Sequence, residues 1–130
     1  MVNHSNIRVL VVDDEPAIRK SLVSFLEDYD FQVFSAKSSE QALKILSSVP
    51  CQVAIVDLRL PGINGDTMIL NAKNLYPSLR FLIHTGSVNF QLSADLTAVG
   101  IRQEHLIVKP QYDLSVFIKA IERLVEEERG

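Results

Sequence analysis

Five short apolar runs, each followed by a stretch whose apolar residues recur at helical spacing, constrain the fold of this chain more than any other feature. The runs are Val9-Leu10-Val11-Val12, a more polar segment from Phe31 to Ala36, Val53-Ala54-Ile55-Val56, Phe81-Leu82-Ile83-His84 and Leu106-Ile107-Val108. After the first run, Ile18, Leu22, Phe25 and Leu26 fall at i, i+4, i+7 and i+8, one face of a helix that Pro16 opens in its first turn. A second helix follows Ser38 or Ser39 as cap, buries Ala42, Ile45, Leu46 and Val49, and stops at Pro50. Past the turn formers Pro61-Gly62-Ile63-Asn64-Gly65, the residues Met68, Ala72 and Leu75 give a third helix its inner stripe before Pro77. From Asn89 to Val99, Leu92, Leu96 and Val99 keep helical spacing, but Asn, Ser, Thr and Asp are poor helix formers. This fourth helix is expected to be the least stable, with Gly100 as its terminator. The last helix turns Leu114, Phe117, Ile118, Ile121, Leu124 and Val125 inward and leaves Glu126 to Arg129 in solvent.

Alternating strands and helices imply an α/β fold with a parallel sheet, because each strand must return to the same edge by a right-handed helical crossover. Strands one, three and four are apolar throughout and are expected at the centre, buried on both faces. With the polar second strand at an edge, the economical order is 2-1-3-4-5, a doubly wound five-stranded sheet with helices on both faces. At 130 residues the chain is read as a single domain, 1–130, with its core over about 7–126.

All strand ends then point one way, and the residues found there are chemically distinctive. Asp13 and Asp14 follow strand one, Asp57 follows strand three, Thr85 ends strand four and Lys109 follows strand five. The crevice between strands one and three would gather the three acids. Two carboxylates about 5 Å apart repel by roughly 3 kcal/mol at an effective dielectric near 20, so three of them need protons or a cation. Mg²⁺ suits oxygen ligands and binds through one or two carboxylates together with phosphate oxygens. A carboxylate can attack phosphorus to give an acyl phosphate, and Asp57 is placed centrally enough to be that nucleophile. The Lys109 amine and the Thr85 hydroxyl are suited to hold the phosphoryl oxygens.

Composition removes several other classes. A formal charge of −3 gives no basic footprint for nucleic acid and no polybasic membrane patch. Cys51 is the only cysteine, so neither an internal disulfide nor a cysteine zinc site can form, and a reducing cytoplasm is the expected location. No apolar run reaches spanning length, and the polar start Met1-Val2-Asn3-His4-Ser5-Asn6 lacks a signal core.

With these residues in place, the chain resembles the receiver domains of two-component response regulators, members of the CheY-like superfamily. Val11-Val12-Asp13-Asp14-Glu15-Pro16 is similar to the receiver acidic motif. The segment Asp57-Leu58-Arg59-Leu60-Pro61-Gly62-Ile63-Asn64-Gly65 is similar to the phosphoacceptor strand end and its loop, and Thr85 and Lys109-Pro110 match the remaining positions. The resemblance runs from about Arg8 to Val125 and implies a flavodoxin-like (βα)5 fold. It further implies that Asp57 accepts phosphoryl from a sensor histidine kinase or a histidine phosphotransfer protein. Mg²⁺ or Mn²⁺ would be held by Asp13, Asp14, Asp57 and the backbone carbonyl of Arg59. Thr85 and Lys109 would bind the phosphoryl oxygens, and the Lys109–Pro110 peptide is expected to be cis. Such a domain assists its own phosphorylation and dephosphorylation without turning over external substrates. Its output would pass through helix four, strand five and helix five to an effector domain or partner, or to a second copy in a homodimer. Either a free-standing receiver or one part of a longer regulator fits.

Three features depart from the family pattern. Leu106 stands where an aromatic switch residue is usual, Gly86 stands where alanine is frequent, and the link from Gly100 to His105 is longer than usual. Arg59, two residues past Asp57, is at a position that faces the attacking groups in similar proteins, and the resemblance implies that it bears on phosphoryl lifetime. It also weighs against a phosphatase of the haloacid dehalogenase type, which places a second Asp there as acid and base. The other alternative is a receiver-like interaction module that works without phosphorylation. Taken singly, Asp13 or Asp14 reads as a cap for the helix opened at Pro16, and His84 reads as a packed strand residue, not a phosphoryl carrier. His4 and His105 belong to no constellation.

Overall fold

The computed structural model describes residues 3–60, 62–86 and 90–129, the side chains of Glu128 and Arg129 excepted. Pro61 and Asn89, which the sequence places in a turn and at a helix start, lie outside the described residues. Five strands, β1 (Arg8–Val12), β2 (Gln32–Ala36), β3 (Val53–Val56), β4 (Arg80–Thr85) and β5 (Leu106–Val108), pair in parallel in the order β2-β1-β3-β4-β5. This is the flavodoxin-like sheet, with the polar strand β2 at one edge and the apolar β1, β3 and β4 inside. Val12 pairs with Ala36 and Val56, and Val56 with Ile83, so the carboxyl ends of the strands share one rim.

Successive strand side chains point to opposite faces, which divides the core in two. Leu10, Val12, Ala54, Val56, Phe81 and Ile83 face α2 (Ser39–Leu46), α3 (Gly65–Leu75) and α4 (Ala94–Ala98). Val9, Val11, Val53, Ile55, Leu82 and Ile107 face α1 (Pro16–Asp28) and α5 (Ser115–Arg129).

Three helices differ from the sequence expectation. α2 is capped by Ser38, whose side chain accepts the Gln41 amide, but it ends at Leu46 and not at Pro50. Beyond it the Ser47 hydroxyl donates to the Lys44 carbonyl at 2.6 Å, and Val49 is only half-buried. Serine hydroxyls that bond to nearby backbone compete with helix continuation. In α3 the buried residues are Gly65, Met68, Ile69 and Ala72, whereas Leu75 is 62% exposed. Leu75 continues the inner stripe, but it borders an uncovered groove lined by Leu46, Val49, Pro50, Cys51 and Leu79. α4 holds five residues, Ala94–Ala98, and is capped by Ser93, whose side chain accepts the Leu96 amide. Leu92 is left outside the helix, and Gly100 ends the segment with φ of +95°, a conformation that costs glycine little.

Candidate functional site

Parallel ladders carry the polar residues past the strand ends and fix their backbones. The Asp13 amide bonds to the Ala36 carbonyl, the Asp57 amide to the Val12 carbonyl at 2.9 Å, and the Lys109 amide to the Thr85 carbonyl at 2.7 Å. Asp13 and Asp57 are 2% and 5% exposed at the rim between β1 and β3, while Asp14 is exposed at its mouth. Each of the three offers a carboxylate oxygen, and these oxygens lie within 4.8 Å of one another.

The Lys109 amine crosses from the end of β5 into this cleft. It stands 2.9 Å from Asp13 Oδ2, 3.0 Å from Asp57 Oδ2 and 3.3 Å from Glu15 Oε1. Backbone donors hold the other oxygens: the Glu15 amide reaches Asp13 Oδ1 and the Arg59 amide reaches Asp57 Oδ1, both at 2.9 Å. The helix-capping expectation is therefore met only in part, since Glu15 occupies the cap position of α1 without a side-chain bond and Asp13 supplies the acceptor. Arg19 donates to the Asp13 carbonyl at 2.8 Å and leaves the carboxylate to the lysine.

Charge in this cleft is unbalanced, with Asp13, Asp14, Glu15 and Asp57 facing one amine. Burial pushes the Asp13 carboxyl above the usual carboxylate range, and the neighbouring Asp57 charge adds to it, against the pull of Lys109 and the Glu15 amide. For Lys109 burial opposes the charge, but hydrogen bonds and attraction from Asp13 and Asp57 exceed that cost and hold the amine above its ordinary range. Hard carboxylate oxygens with one open side fit a divalent cation of the Mg²⁺ or Mn²⁺ type and do not fit a soft metal. Asp13, Asp14 and Asp57 supply that donor set, with the Arg59 peptide beside them.

Thr85 is buried at the end of β4, and the Lys109–Pro110 peptide is cis. Leu106 is half-buried and packs on the α4 side of the core, where Phe90, Leu92 and Val99 also lie. A Cβ at Gly86 would meet nothing within 4 Å, so no steric demand keeps that position glycine. The link after Gly100 holds a short 3-10 helix, Gln103–His105. His84 packs edge-on against Phe117 with ring centroids 5.0 Å apart, and burial, aided by the Lys109 charge, pushes its imidazole down to about 4. It is a neutral core residue at ordinary pH. Cys51 precedes β3 at the far end of the sheet, with its thiol pushed up to about 11 by burial.

Two site residues carried no sequence argument of their own. Glu15 joins the lysine cluster, and its only signal is its place directly after the acidic pair. Gly65 opens α3 so close to the end of β3 that a Cβ there would come within 2.7 Å of the Asp57 carbonyl oxygen and 2.6 Å of Leu58 Cα. A glycine directly after the Asn64 cap is the trace this close approach leaves in the sequence.

Residues 9–122 match the model of the response regulator receiver domain. The chain belongs to the response regulator receiver family. Among its relatives, a putative NtrX-like response regulator of Rickettsia felis is 35% identical over 98 residues, covering 74% of this chain and 21% of that protein. The transcriptional regulatory protein FixJ of Rhizobium meliloti is 32% identical over 118 residues, 91% of this chain and 56% of FixJ. The receiver thus spans between about a fifth and just over half of the length of these relatives. The crystal structure of the response regulator TrrA of Thermotoga maritima, in complex with Mg²⁺-BeF, superposes with a TM-score of 0.79 at 24% identity, covering 91% of this chain and 98% of that one. Receiver domains are signalling modules of two-component systems whose general function is a phosphorylation switch, and they are not turnover enzymes. Among the described residues, no helix is long and apolar enough to cross a membrane.

Proposed function

We propose that this receiver takes a phosphoryl group onto Asp57 from a phosphohistidine of a sensor histidine kinase or a histidine phosphotransfer protein. One observation carries the reading: a buried Asp57 carboxylate whose two oxygens are aimed by Lys109 and the Arg59 amide, with two further carboxylates within 4.8 Å. An Asp57 oxygen forms the new O–P bond as the N–P bond to the donor imidazole breaks, and the freed imidazole takes its proton from solvent. Mg²⁺ or Mn²⁺, when bound by Asp13, Asp14, Asp57 and the Arg59 carbonyl, supplies positive charge for the carboxylates and the incoming phosphoryl oxygens. Lys109 exchanges a carboxylate partner for a phosphoryl oxygen, and the Thr85 hydroxyl donates to another. Two such charge-assisted bonds at about 1.5 to 3 kcal/mol each approach the roughly 5.5 kcal/mol that inverts a 1:99 population.

The readout is a change in the surface of α4, β5 and α5, sensed by an effector domain, a protein partner or a second copy in a homodimer, in the cytoplasm. Neither nucleic acid nor membrane is a direct partner of this segment, whose formal charge is −3. The presence of Mg²⁺-BeF in the Thermotoga regulator supports the pairing of cation and phosphoryl-like group. Intact mass after incubation with Mg²⁺ and acetyl phosphate tests the proposal. One phosphoryl adduct is expected, labile to hydroxylamine, lost with chelator and absent in Asp57→Asn. An unmodified wild-type mass would instead favour an interaction module that works without phosphorylation.

A further inference from the structure

The loop that leaves Asp57 and returns at Gly65 is held at two levels. At its base the Gly65 amide donates to the Leu58 carbonyl at 3.1 Å. At its tip the peptide groups of Ile63 are gripped by consecutive residues of another helix. Ser39, fully buried in the first turn of α2, donates its hydroxyl to the Ile63 carbonyl at 2.5 Å, and Glu40 Oε1 accepts the Ile63 amide at 3.1 Å. The same carboxylate lies against Gly62, whose φ is +73°, so closely that a Cβ there would come within 2.7 Å of Oε1. Hydrogen bonds from its own amide and from Ile63 hold the Glu40 carboxyl below the usual carboxylate range, so it stays an ionised acceptor at neutral pH.

Apolar contact alone does not restrain peptide orientation, because dispersion is not directional, whereas a donor and an acceptor on one residue fix both displacement and rotation. The same loop begins at Asp57, and its Arg59 amide aims Asp57 Oδ1. We infer that Ser39 and Glu40 are positioning residues that set the loop between Asp57 and Gly65, and through the Arg59 peptide set the affinity of the cleft for its divalent cation. This inference rests on the function proposed above. Neither residue touches the cation or the phosphoryl group. Their effect is preorganisation: a loop already held in place gives up less freedom when the ion binds.

The test uses the full chain and Mg²⁺ alone as ligand. Calorimetric titration gives its Kd for wild type, Ser39→Ala, Glu40→Ala, Glu40→Gln and the control Leu46→Ala, which removes a buried side chain from the other end of α2. Amide exchange at Ile63 without metal and the urea midpoint are measured on each variant. Ser39→Ala and Glu40→Ala should each weaken Mg²⁺ binding about fivefold, the scale of one lost hydrogen bond. Glu40→Gln retains the acceptor oxygen and should stay within about twofold of wild type. Glu40→Ala should also speed Ile63 exchange, whereas Leu46→Ala should lower the urea midpoint with Kd unchanged. Faster Ile63 exchange with an unchanged Kd would overturn the inference, and so would a Kd loss in Leu46→Ala equal to that in the clamp variants. A wild-type chain that binds no Mg²⁺ would remove the proposed function itself, an outcome distinct from wild-type binding that the clamp variants leave untouched.

Discussion

Against one face of the sheet lie α1 and α5, of 13 and 15 residues, and against the other lie α2, α3 and α4, of 8, 11 and 5 residues. On the α1 and α5 side Leu22, Leu26, Phe117, Ile121 and Leu124 form a deep apolar layer. On the opposite side α4 contributes a single fully buried residue, Leu96, bordered by the half-buried Leu92, Val99 and Leu106. Five residues lie far below the length at which a helix holds itself in water, so α4 depends on Leu96, the Ser93 cap and the Gly100 turn. Local stability follows packing and is lowest where few apolar contacts hold a segment. The contrast teaches where a displacement costs least: α4, on the Leu106 side of the core, is held by few apolar contacts, while the far face is anchored by a deep layer.

The comparison breaks first at Phe117. Replacement by alanine should cost about 4 kcal/mol and lower the urea midpoint of the whole transition; an equal loss confined to local opening would remove the rigid face from the account. Next in size is the pH response of His84, whose folded imidazole titrates at about 4. As pH falls from about 6.5 toward 4 the unfolded chain takes up a proton that the folded chain does not, so stability should decline by up to about 3 kcal/mol over that window. Urea midpoints of wild type and His84→Phe, measured at several pH values, isolate this slope. A difference between the two that does not change with pH would contradict it.

Leu96→Ala should cost about 2 to 3 kcal/mol, and amide exchange should show α4 opening well before β1 and β3. Uniform acceleration across the sheet would mean that α4 is coupled as tightly as α5. Smallest is the cap, where Ser93→Ala should cost about 1 kcal/mol, visible as faster exchange of the Leu96 amide with little change in midpoint.

Much of this molecule was legible in the chain. Strands and their order followed from short apolar runs, because a strand buried on both faces must be apolar throughout and a polar one belongs at an edge. The placement of Asp13, Asp14, Asp57, Thr85 and Lys109 at one rim was legible because each ends such a run or follows it within two residues, and ladder bonds extend one residue past the strands. Helix limits were less legible. Leu75 has the right period yet faces an open groove, and α2 stops early where Ser47 bonds backward, since periodicity records which face is apolar and not whether anything covers it.

Residue type and spacing alone therefore determined the parallel sheet, its strand order and the rim where the acids gather, because hydrophobic period and crossover handedness act along the chain. Tertiary structure decided the partners: Lys109 on Asp13, Asp57 and Glu15, His84 against Phe117, and Ser39 with Glu40 on Ile63. Each joins residues distant in sequence through hydrogen bonds, ion pairs or ring contacts whose geometry exists only after the helices pack, and no local pattern along the chain encodes such a meeting.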